Sequence, residues 1–413
     1  MPSIIGRVTD LETTLAPHRP GPSWRRAAPA LLGYAAVRAL GLAALAVWSA
    51  TADKSAHQLL SARWDSLWYT RIAELGYGYE VRLPNGDVHS NLAFFPLLPW
   101  LERAVSAVSP LSYADAGLLV TAVASVAAAW GIFAVADHVY GEGEARGAAQ
   151  EARWRETGGS PAVLAVLVWA VLPVGIVQSM AYSESLFTAL AAWSLYAVLT
   201  GRWLTAGLLA SLAGLTRPVG MAVVAAVWVT VFASFVRERS VPVREGAPRW
   251  RRAVAVLIAP LGAVGYVLWV GRRTGDGPTG YLTVQAGWRN GFDGGYAFAR
   301  FVAGRFTSWP SALAGVALVV GVCLLLRLCV ACVRQRQPLP LLVYAGAVTL
   351  LALCASSYFG SKPRLLMPAF PLLLPLAVAL ARLRTSRSAW VLGVLAVASA
   401  AYGAFWLNGS GPP

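Results

Sequence analysis

The stretch AGLLVTAVASVAAAWGIFAVA, from Ala116 to Ala136, contains no charged residue over the length needed to cross the hydrocarbon core of a membrane. Its apolar residues are continuous and do not alternate with polar ones, which favours a helix over a strand. Similar blocks of roughly 18 to 24 residues recur along the chain, and a backbone in hydrocarbon must satisfy its own hydrogen bonds. The sequence therefore predicts an all-α, polytopic integral membrane protein.

The composition agrees with this class. Of the 413 residues, 57% are hydrophobic and 13% are charged, whereas soluble domains carry about a quarter charged residues. A formal net charge of +15 could indicate nucleic acid, but arginines in cytoplasmic loops that face anionic lipid explain it better. We therefore expect membrane lipid, and no nucleic acid, among the partners.

About eleven spans are predicted, with the N-terminus in the cytoplasm. They lie at 28–50, 115–139, 161–180, 184–200, 203–216, 219–236, 253–271, 310–333, 339–358, 365–383 and 389–407. The apolar segment 92–108 is short and contains two prolines, and we expect it to lie flat. Fifteen arginines after it then face the cytoplasm and eight basic residues face outward; letting it cross would reverse that ratio.

One multi-span domain is expected at 28–407, after a cytoplasmic segment (1–27) and before a short extracytoplasmic tail (408–413). Its two large outer loops, 51–114 and 272–309, fall with shorter turns on the extracytoplasmic face of a cell membrane. Together these pieces could form one site at the outer boundary.

The first outer loop contains RWDSLWYTRIAELGYGYE, from Arg63 to Glu80. Apolar residues recur at three- and four-residue spacing, as on an interfacial amphipathic helix whose apolar face includes Leu67 and Leu75. Asp65 lies off that face near its start, where it could cap a helix N-terminus or act as a general base.

A second signal is AYSESLF, from Ala181 to Phe187, between two apolar blocks. Ser183 could cap the following helix and make Glu184 an ordinary first-turn acid. Alternatively, Glu184 belongs to a site, because it sits in a short turn on the same side as Asp65.

Three basic residues lie in outer turns, where the positive-inside rule disfavours them. Arg217 is in LTRPVG, and Lys362 and Arg364 are in SKPRLLMPAFP. They could mark the interface by snorkelling, or they could bind a phosphate, for which a guanidinium has bidentate geometry.

Arg38 lies mid-way along the first span. A charge there costs about 2.5–3.5 kcal/mol on insertion scales, so it needs a partner or a water-filled cavity. We expect a structural ion pair, with membership of a site as the alternative.

No metal site is predicted. The four histidines are scattered, the four cysteines lie in apolar runs, and no Walker A, GxSxG or HExxH motif occurs. Asp276 and Asp293, in the loop 272–309, leave room for a divalent metal without indicating one.

Taken in order, these pieces resemble the PIG-V family, the GPI mannosyltransferase 2-like branch of the GT-C glycosyltransferases, in a bacterial member. After an arginine in the first span, the order is RWDxxxYxxIAxxGYxYE (63–80), FFPLLP (94–99), YSESLF (182–187), an arginine-containing turn (216–220) and a basic segment ending in MPAFP (362–371). Eukaryotic members usually read RSNG at the arginine turn, where this chain has RPVG, and a polar insert, VRLPNGDVHS, precedes Asn91. A GPI acceptor is therefore not implied.

The resemblance implies a GT-C fold and transfer of a sugar, expected to be mannose, from polyprenyl-phosphate mannose with inversion. Asp65 would be the base by its match to the family's WD. The expected substrate-binding residues are Trp64, Tyr77, Glu80, Glu184, Arg217, Lys362 and Arg364. The carboxylates among them would orient hydroxyls, and the cations would bind the lipid phosphate. The acceptor, whether lipid, glycan or protein, stays open.

Two other classes of function compete with the enzyme. A transporter or flippase for a lipid-linked sugar often shows repeated halves and broken helices at mid-membrane. No internal repeat is visible here, and the conspicuous polar residues lie in outer loops, which favours the enzyme. A non-catalytic scaffold subunit would keep the fold but tolerate the loss of Asp65.

Overall fold

A computed structural model of the chain describes residues 23–141, 159–240, 248–409 and 411. Most of the predicted N-terminal segment (1–27) and half of the predicted tail (408–413) therefore lie outside the described residues, as do parts of two predicted cytoplasmic loops.

Helices make up most of the described chain. They are α1 (Trp24–Thr51), α2 (Ala56–Ser61), α3 (Asp65–Leu75), α4 (Leu97–Ala107), α5 (Tyr113–Tyr140), α6 (Pro161–Ala170), α7 (Ser183–Leu199), α8 (Trp203–Gly214), α9 (Met221–Ser240), α10 (Arg249–Ile258), α11 (Leu261–Thr274), α12 (Gly280–Gly287), α13 (Tyr296–Gly304), α14 (Ser311–Arg334), α15 (Leu339–Cys354), α16 (Lys362–Leu366), α17 (Leu374–Ala381) and α18 (Thr385–Asn408).

Six helical stretches in the described residues are long and apolar enough to cross a membrane. They are Trp24–Thr51, Tyr113–Tyr140, Pro218–Glu238, Arg249–Thr274, Ser311–Arg334 and Thr385–Asn408. A bent pair, Phe359–Leu366 and Phe370–Ala381, would add a seventh; its two parts meet at 77°. Several other predicted spans are shorter apolar helices, so the count of eleven stays a prediction.

Short strands interrupt the helical pattern in the two outer loops. The strands β1 (Glu80–Arg82) and β2 (Val88–Ser90) pair antiparallel, and the polar insert forms most of this hairpin. The strands β3 (Gly291–Phe292) and β4 (Ala355–Ser356) also pair antiparallel and join the second outer loop to the end of α15. The fold is therefore helical with two small two-stranded additions.

The first and last helices run in the same direction. They pack along each other, and their C-terminal ends meet where the Asn408 side-chain amide donates to the Ser49 hydroxyl at 3.3 Å. If both of these described helices cross a membrane, the number of crossings from the first to the last of them is odd; eleven crossings would satisfy this condition and stay a prediction.

Arginine-rich helix ends meet at the opposite end of the bundle. Arg26, at the start of α1, pairs with Asp137, near the end of α5, at 3.2 Å. Arg252, at the start of α10, pairs with Glu238, near the end of α9, at 2.5 Å. These helix ends therefore lie away from the first outer loop.

The predicted span 161–180 is broken. Helix α6 ends at Ala170 and a 3-10 turn spans Gly175–Ser179. Pro173 explains the break, because proline has no N–H to donate and disfavours a helical residue before it. A broken helix leaves carbonyl groups without partners, which is costly away from water.

The Arg38 side chain supplies hydrogen-bond donors to carbonyl groups at this break. Its guanidinium donates to the carbonyls of Ala170 and Gly175, and the Ser399 hydroxyl donates to the Leu172 carbonyl at 2.7 Å. The expected ion pair is wrong in its partner: the intramembrane arginine binds backbone oxygens at a helix break. A structural role for Arg38, now as a partner of backbone carbonyls, stays a prediction.

Candidate active site

Helix α3 positions Asp65. The helix begins at this residue, directly after Trp64, whose backbone lies at φ 53° and ψ −118°. Leu67 and Leu75, on the predicted apolar face, are exposed at the protein surface, and contact of that face with the membrane interface stays a prediction. The buried side consists of Ser66, Tyr69, Ile72 and Ala73. This buried side directs Tyr69, which lies about one helical turn after Asp65, into the protein.

The Asp65 carboxylate is held by an arginine distant in sequence. Arg364 Nη1 donates to Asp65 Oδ2 at 2.8 Å. The Asp65 backbone N–H also donates to the hydroxyl of Tyr182 at 3.3 Å. Both contacts fix the start of α3 against segments that are distant from it in the sequence.

Glu184 lies between two guanidinium groups. It forms an ion pair with Arg217, and Arg364 Nε lies 3.3 Å from its Oε1. We call Asp65, Glu184, Arg217 and Arg364 the charged cluster. Its formal charges cancel, and the attraction between the opposite charges offsets part of the desolvation cost of burying them.

Exposure separates the two carboxylates of the charged cluster. The Asp65 side chain is 27% exposed, whereas that of Glu184 is 1% exposed. A substrate can therefore reach Asp65, while Glu184 acts within the protein by holding two arginines together.

Hydroxyl groups complete the cluster. The hydroxyls of Tyr69 and Ser183 are 2.8 Å apart, and Arg217 Nη1 donates to Ser183 Oγ at 3.2 Å. Burial raises the pKa of Tyr69 above its ordinary value, so this phenol stays neutral. The expectation that Ser183 caps the next helix is wrong, because Ser183 is itself the first residue of α7 and its side chain turns to Tyr69 and Arg217.

Lys362 lies apart from the charged cluster. Its ammonium donates to the carbonyls of Ala352 at 2.7 Å and Ala355 at 2.8 Å, at the end of α15. Glu80, in β1, is exposed on the hairpin. The structure brings neither residue to Asp65, so their substrate contacts remain predictions.

Tyr77 supports the neighbouring segment instead of joining the cluster. Its hydroxyl donates to the Phe94 carbonyl at 2.9 Å, as does that of Tyr266 at 2.7 Å. Phe94 in turn meets Tyr69 edge-on, with ring centroids 5.2 Å apart. The FFPLLP motif is thereby tied to the wall of the site.

The second outer loop packs on the first. The Trp288 indole N–H donates to the Ser90 carbonyl at 3.0 Å, and its ring meets that of Trp68 edge-on at 4.9 Å. Arg289 pairs with Asp87 at 2.6 Å. The two loops thus form one layer over this end of the bundle.

The two aspartates considered for a metal are not gathered at the charged cluster. Asp276 is exposed, and Asp293 accepts the backbone N–H groups of Gly295 and Ala297 at the start of α13. Across the described residues, no group of three or more His, Cys, Asp or Glu side chains could hold a metal ion.

Tyr69, Tyr182 and Arg63 are residues that sequence reasoning did not select. All three lie inside quoted motifs, RWDSLWY and YSESLF, so a signal was present in the sequence. Only the fold shows that Tyr69 and Tyr182 reach the cluster.

A solved structure shares this fold, and others resemble it more distantly. ArnT from Cupriavidus metallidurans bound to undecaprenyl phosphate superposes with a TM-score of 0.51 at 16% identity over 88% of this chain and 62% of that one. The oligosaccharyltransferase AglB from Archaeoglobus fulgidus, in complex with an inhibitory peptide and a dolichol-phosphate, gives 0.44 at 12% identity over 92% and 56%. The chain spans about three fifths of the length of the ArnT chains it matches. No curated protein sequence matches it.

The fold defines the class: a multi-span membrane protein with the architecture of the GT-C glycosyltransferases. The sequence then gives the family. Residues 34–264 match the profile described as mannosyltransferase (PIG-V), which covers more than half of the chain, and the protein belongs to that family.

Proposed function

We propose that the protein transfers a sugar, mannose in the first instance, from a polyprenyl-phosphate carrier to an acceptor hydroxyl on the extracytoplasmic face of the cell membrane. Family membership supports the reaction class. The observation that carries the proposal is the charged cluster, in which the accessible carboxylate of Asp65 pairs with Arg364 while the buried Glu184 joins Arg364 to Arg217.

Asp65 is the base in this proposal. It accepts the proton of the acceptor hydroxyl while the hydroxyl oxygen attacks the anomeric carbon of the sugar. The bond between that carbon and the lipid-phosphate oxygen breaks, and the phosphate leaves with the electron pair. Attack from the opposite side inverts the anomeric configuration.

Arg217 and Arg364 stabilise the leaving phosphate. Each guanidinium offers five N–H donors, and only some of them are engaged by Asp65, Glu184 and Ser183. The remaining donors suit phosphate oxygens. Because Glu184 already fixes both arginines, little reorganisation is needed as charge develops on the phosphate.

The test is transfer from labelled polyprenyl-phosphate mannose in membranes that contain the protein, with the glucose-linked carrier as the donor control. Label is followed in the lipid, glycan and protein fractions. The proposal predicts transfer from the mannose donor and indicates the acceptor by the labelled fraction. Movement of the carrier across the bilayer without transfer would contradict the proposal and favour a flippase. Absence of both activities, with a partner glycosyltransferase requiring the chain, would favour the scaffold.

A further inference from the structure

Arg63 reaches from the first outer loop to the end of the last helix. Its guanidinium donates to the carbonyls of Leu407 and Gly409, where α18 ends. These residues are about 345 positions apart in the chain, as the sequence separations of 344 and 346 show. The same guanidinium lies over the Trp64 ring, 4.0 Å from its centroid.

The C-terminal end of α18 favours binding of a cationic side chain. The last carbonyls of a helix have no partner within the helix and carry partial negative charge. A planar guanidinium can meet two of them with two different nitrogens held in a rigid fork, whereas an ammonium has a single nitrogen. Lys54 meets a third carbonyl there, that of Asn408, at 2.6 Å.

The turn that Arg63 begins is closed by Ser66. The Arg63 backbone N–H donates to the Ser66 hydroxyl at 2.8 Å, and that hydroxyl donates to the Arg63 carbonyl at 2.6 Å. Asp65 lies inside this closed turn. A movement of Arg63 therefore moves the carboxylate.

The backbone conformation of Trp64 is a second reason why this turn needs an anchor. A positive φ is unfavourable for a bulky non-glycine residue and persists only where the surroundings enforce it. The stacked guanidinium of Arg63 covers the Trp64 ring and is itself held by α18. The strained residue stands immediately before Asp65.

We propose that Arg63 is a positioning residue, which fastens the turn before Asp65 to the C-terminal end of α18 and so fixes the base for sugar transfer. This inference rests on the proposed function. Arg63 acts through the backbone of its own turn, because its guanidinium is occupied by α18 and the Trp64 ring instead of by the charged cluster.

The experiment compares Arg63→Gln and Arg63→Lys with Lys54→Gln, the matched control that loses a contact to the same helix end outside the turn. kcat and KM are measured for the mannose donor, and hydrogen exchange is measured over residues 64–72. For Arg63→Gln we expect kcat to fall about 10- to 100-fold, since displacement of a catalytic group by about 1 Å has that effect. KM should stay within about threefold, because the phosphate contacts are elsewhere.

Arg63→Lys should lie between the parent and Arg63→Gln. Exchange over 64–72 should rise about tenfold in Arg63→Gln and stay unchanged in Lys54→Gln. A rise in KM at unchanged kcat would make Arg63 a substrate contact and overturn the proposal. Equal losses in Lys54→Gln and Arg63→Gln would show only that the helix end stabilises the fold, which also overturns it.

If Arg63→Gln does not fold, the kcat and exchange of Arg63→Lys decide between the same outcomes. If even the parent protein transfers no sugar, the proposed function fails. The exchange measurement still supports or contradicts the anchoring role of Arg63 in that case.

Discussion

Glu184 and Glu102 are both buried carboxyl groups, but their surroundings differ. Glu184 meets two guanidinium groups. Glu102, in α4, is 0% exposed, and neither of its oxygens has a hydrogen-bond partner among the described residues. It lies against Gly117, where an added Cβ would come within 2.6 Å of Oε1. Burial of an unpaired carboxyl favours its neutral form.

Glu102→Gln is expected to stabilise the protein more at high pH than at low pH. Burial raises the pKa of Glu102 to about 9 from an ordinary 4.5. The folded state therefore retains a proton that the unfolded state loses, and stability falls as pH rises between those two values. Glutamine resembles the protonated acid and removes that loss. Thermal unfolding in detergent at pH 5 and pH 8 measures the difference.

The control is Glu74→Gln, at an exposed position of α3. It should change the melting temperature little at either pH. An equal shift for Glu102→Gln at pH 5 and pH 8 would contradict the neutral, buried state assigned to this carboxyl.

Arg217→Gln is expected to destabilise the protein by about 3–5 kcal/mol, because it leaves the buried Glu184 with one cation fewer. The double variant Glu184→Gln, Arg217→Gln should lose less than the sum of the single variants. Unfolding in detergent measures all three. The control is the ion pair between the exposed Arg289 and the half-buried Asp87 at the surface, where truncation should cost less than about 1 kcal/mol. Additive losses at Glu184 and Arg217 would refute the coupling.

At the scale of elements, the broken span after α6 depends on a side chain from α1. Arg38→Met removes donors from two carbonyls and should lower stability by about 2–4 kcal/mol. Arg327→Met is the matched control, since Arg327 is an exposed arginine within the apolar helix α14. It should be neutral or stabilising. The melting temperatures of both variants are measured in detergent. Equal decreases in melting temperature would contradict the prediction that Arg38 stabilises the helix break.

The sequence predicted some of these elements and missed others. The apolar blocks identified the long helices because continuous hydrophobicity is a local property. The break near Pro173 was missed, although proline offered a signal, because the apolar run continues on both sides. The hydrogen bond from Arg38 to the Ala170 carbonyl could not be predicted from the sequence, because every residue has a backbone carbonyl.

The same distinction applies to the site. Asp65, Glu184, Arg217 and Arg364 were selected from separate motifs, and the fold brings them together. Lys362 was selected by the same reasoning and lies apart, because a basic residue near an outer turn serves a helix end as readily as a phosphate. The residues of the charged cluster and Lys362 therefore differ only in which groups surround them in the folded protein.

At the scale of the whole molecule, contacts between charged side chains mark the two opposite ends of the helix bundle. The contacts that join Arg26 to Asp137 and Arg252 to Glu238 mark one end of the bundle, and the charged cluster marks the other. The proposed orientation puts the second end outside the cell.

Cysteine labelling tests this orientation. Asn85→Cys, in the exposed hairpin turn, should react with a membrane-impermeant maleimide in intact cells. Arg251→Cys, exposed near the start of α10, should react only after permeabilisation. The parent protein supplies the background from its four native cysteines. Labelling of Arg251→Cys in intact cells, with protection of Asn85→Cys, would reverse the orientation.

The central claim is that Asp65 performs the chemistry of a polyprenyl-phosphate-dependent sugar transfer. The most direct measurement compares transfer from polyprenyl-phosphate mannose by the parent, Asp65→Asn and Asp276→Asn proteins at equal abundance in membranes. We predict a loss of at least about 10²-fold for Asp65→Asn and near-parental activity for Asp276→Asn, whose carboxylate is exposed outside the charged cluster. Equal transfer by the parent and Asp65→Asn would contradict the account and remove Asp65 from the reaction.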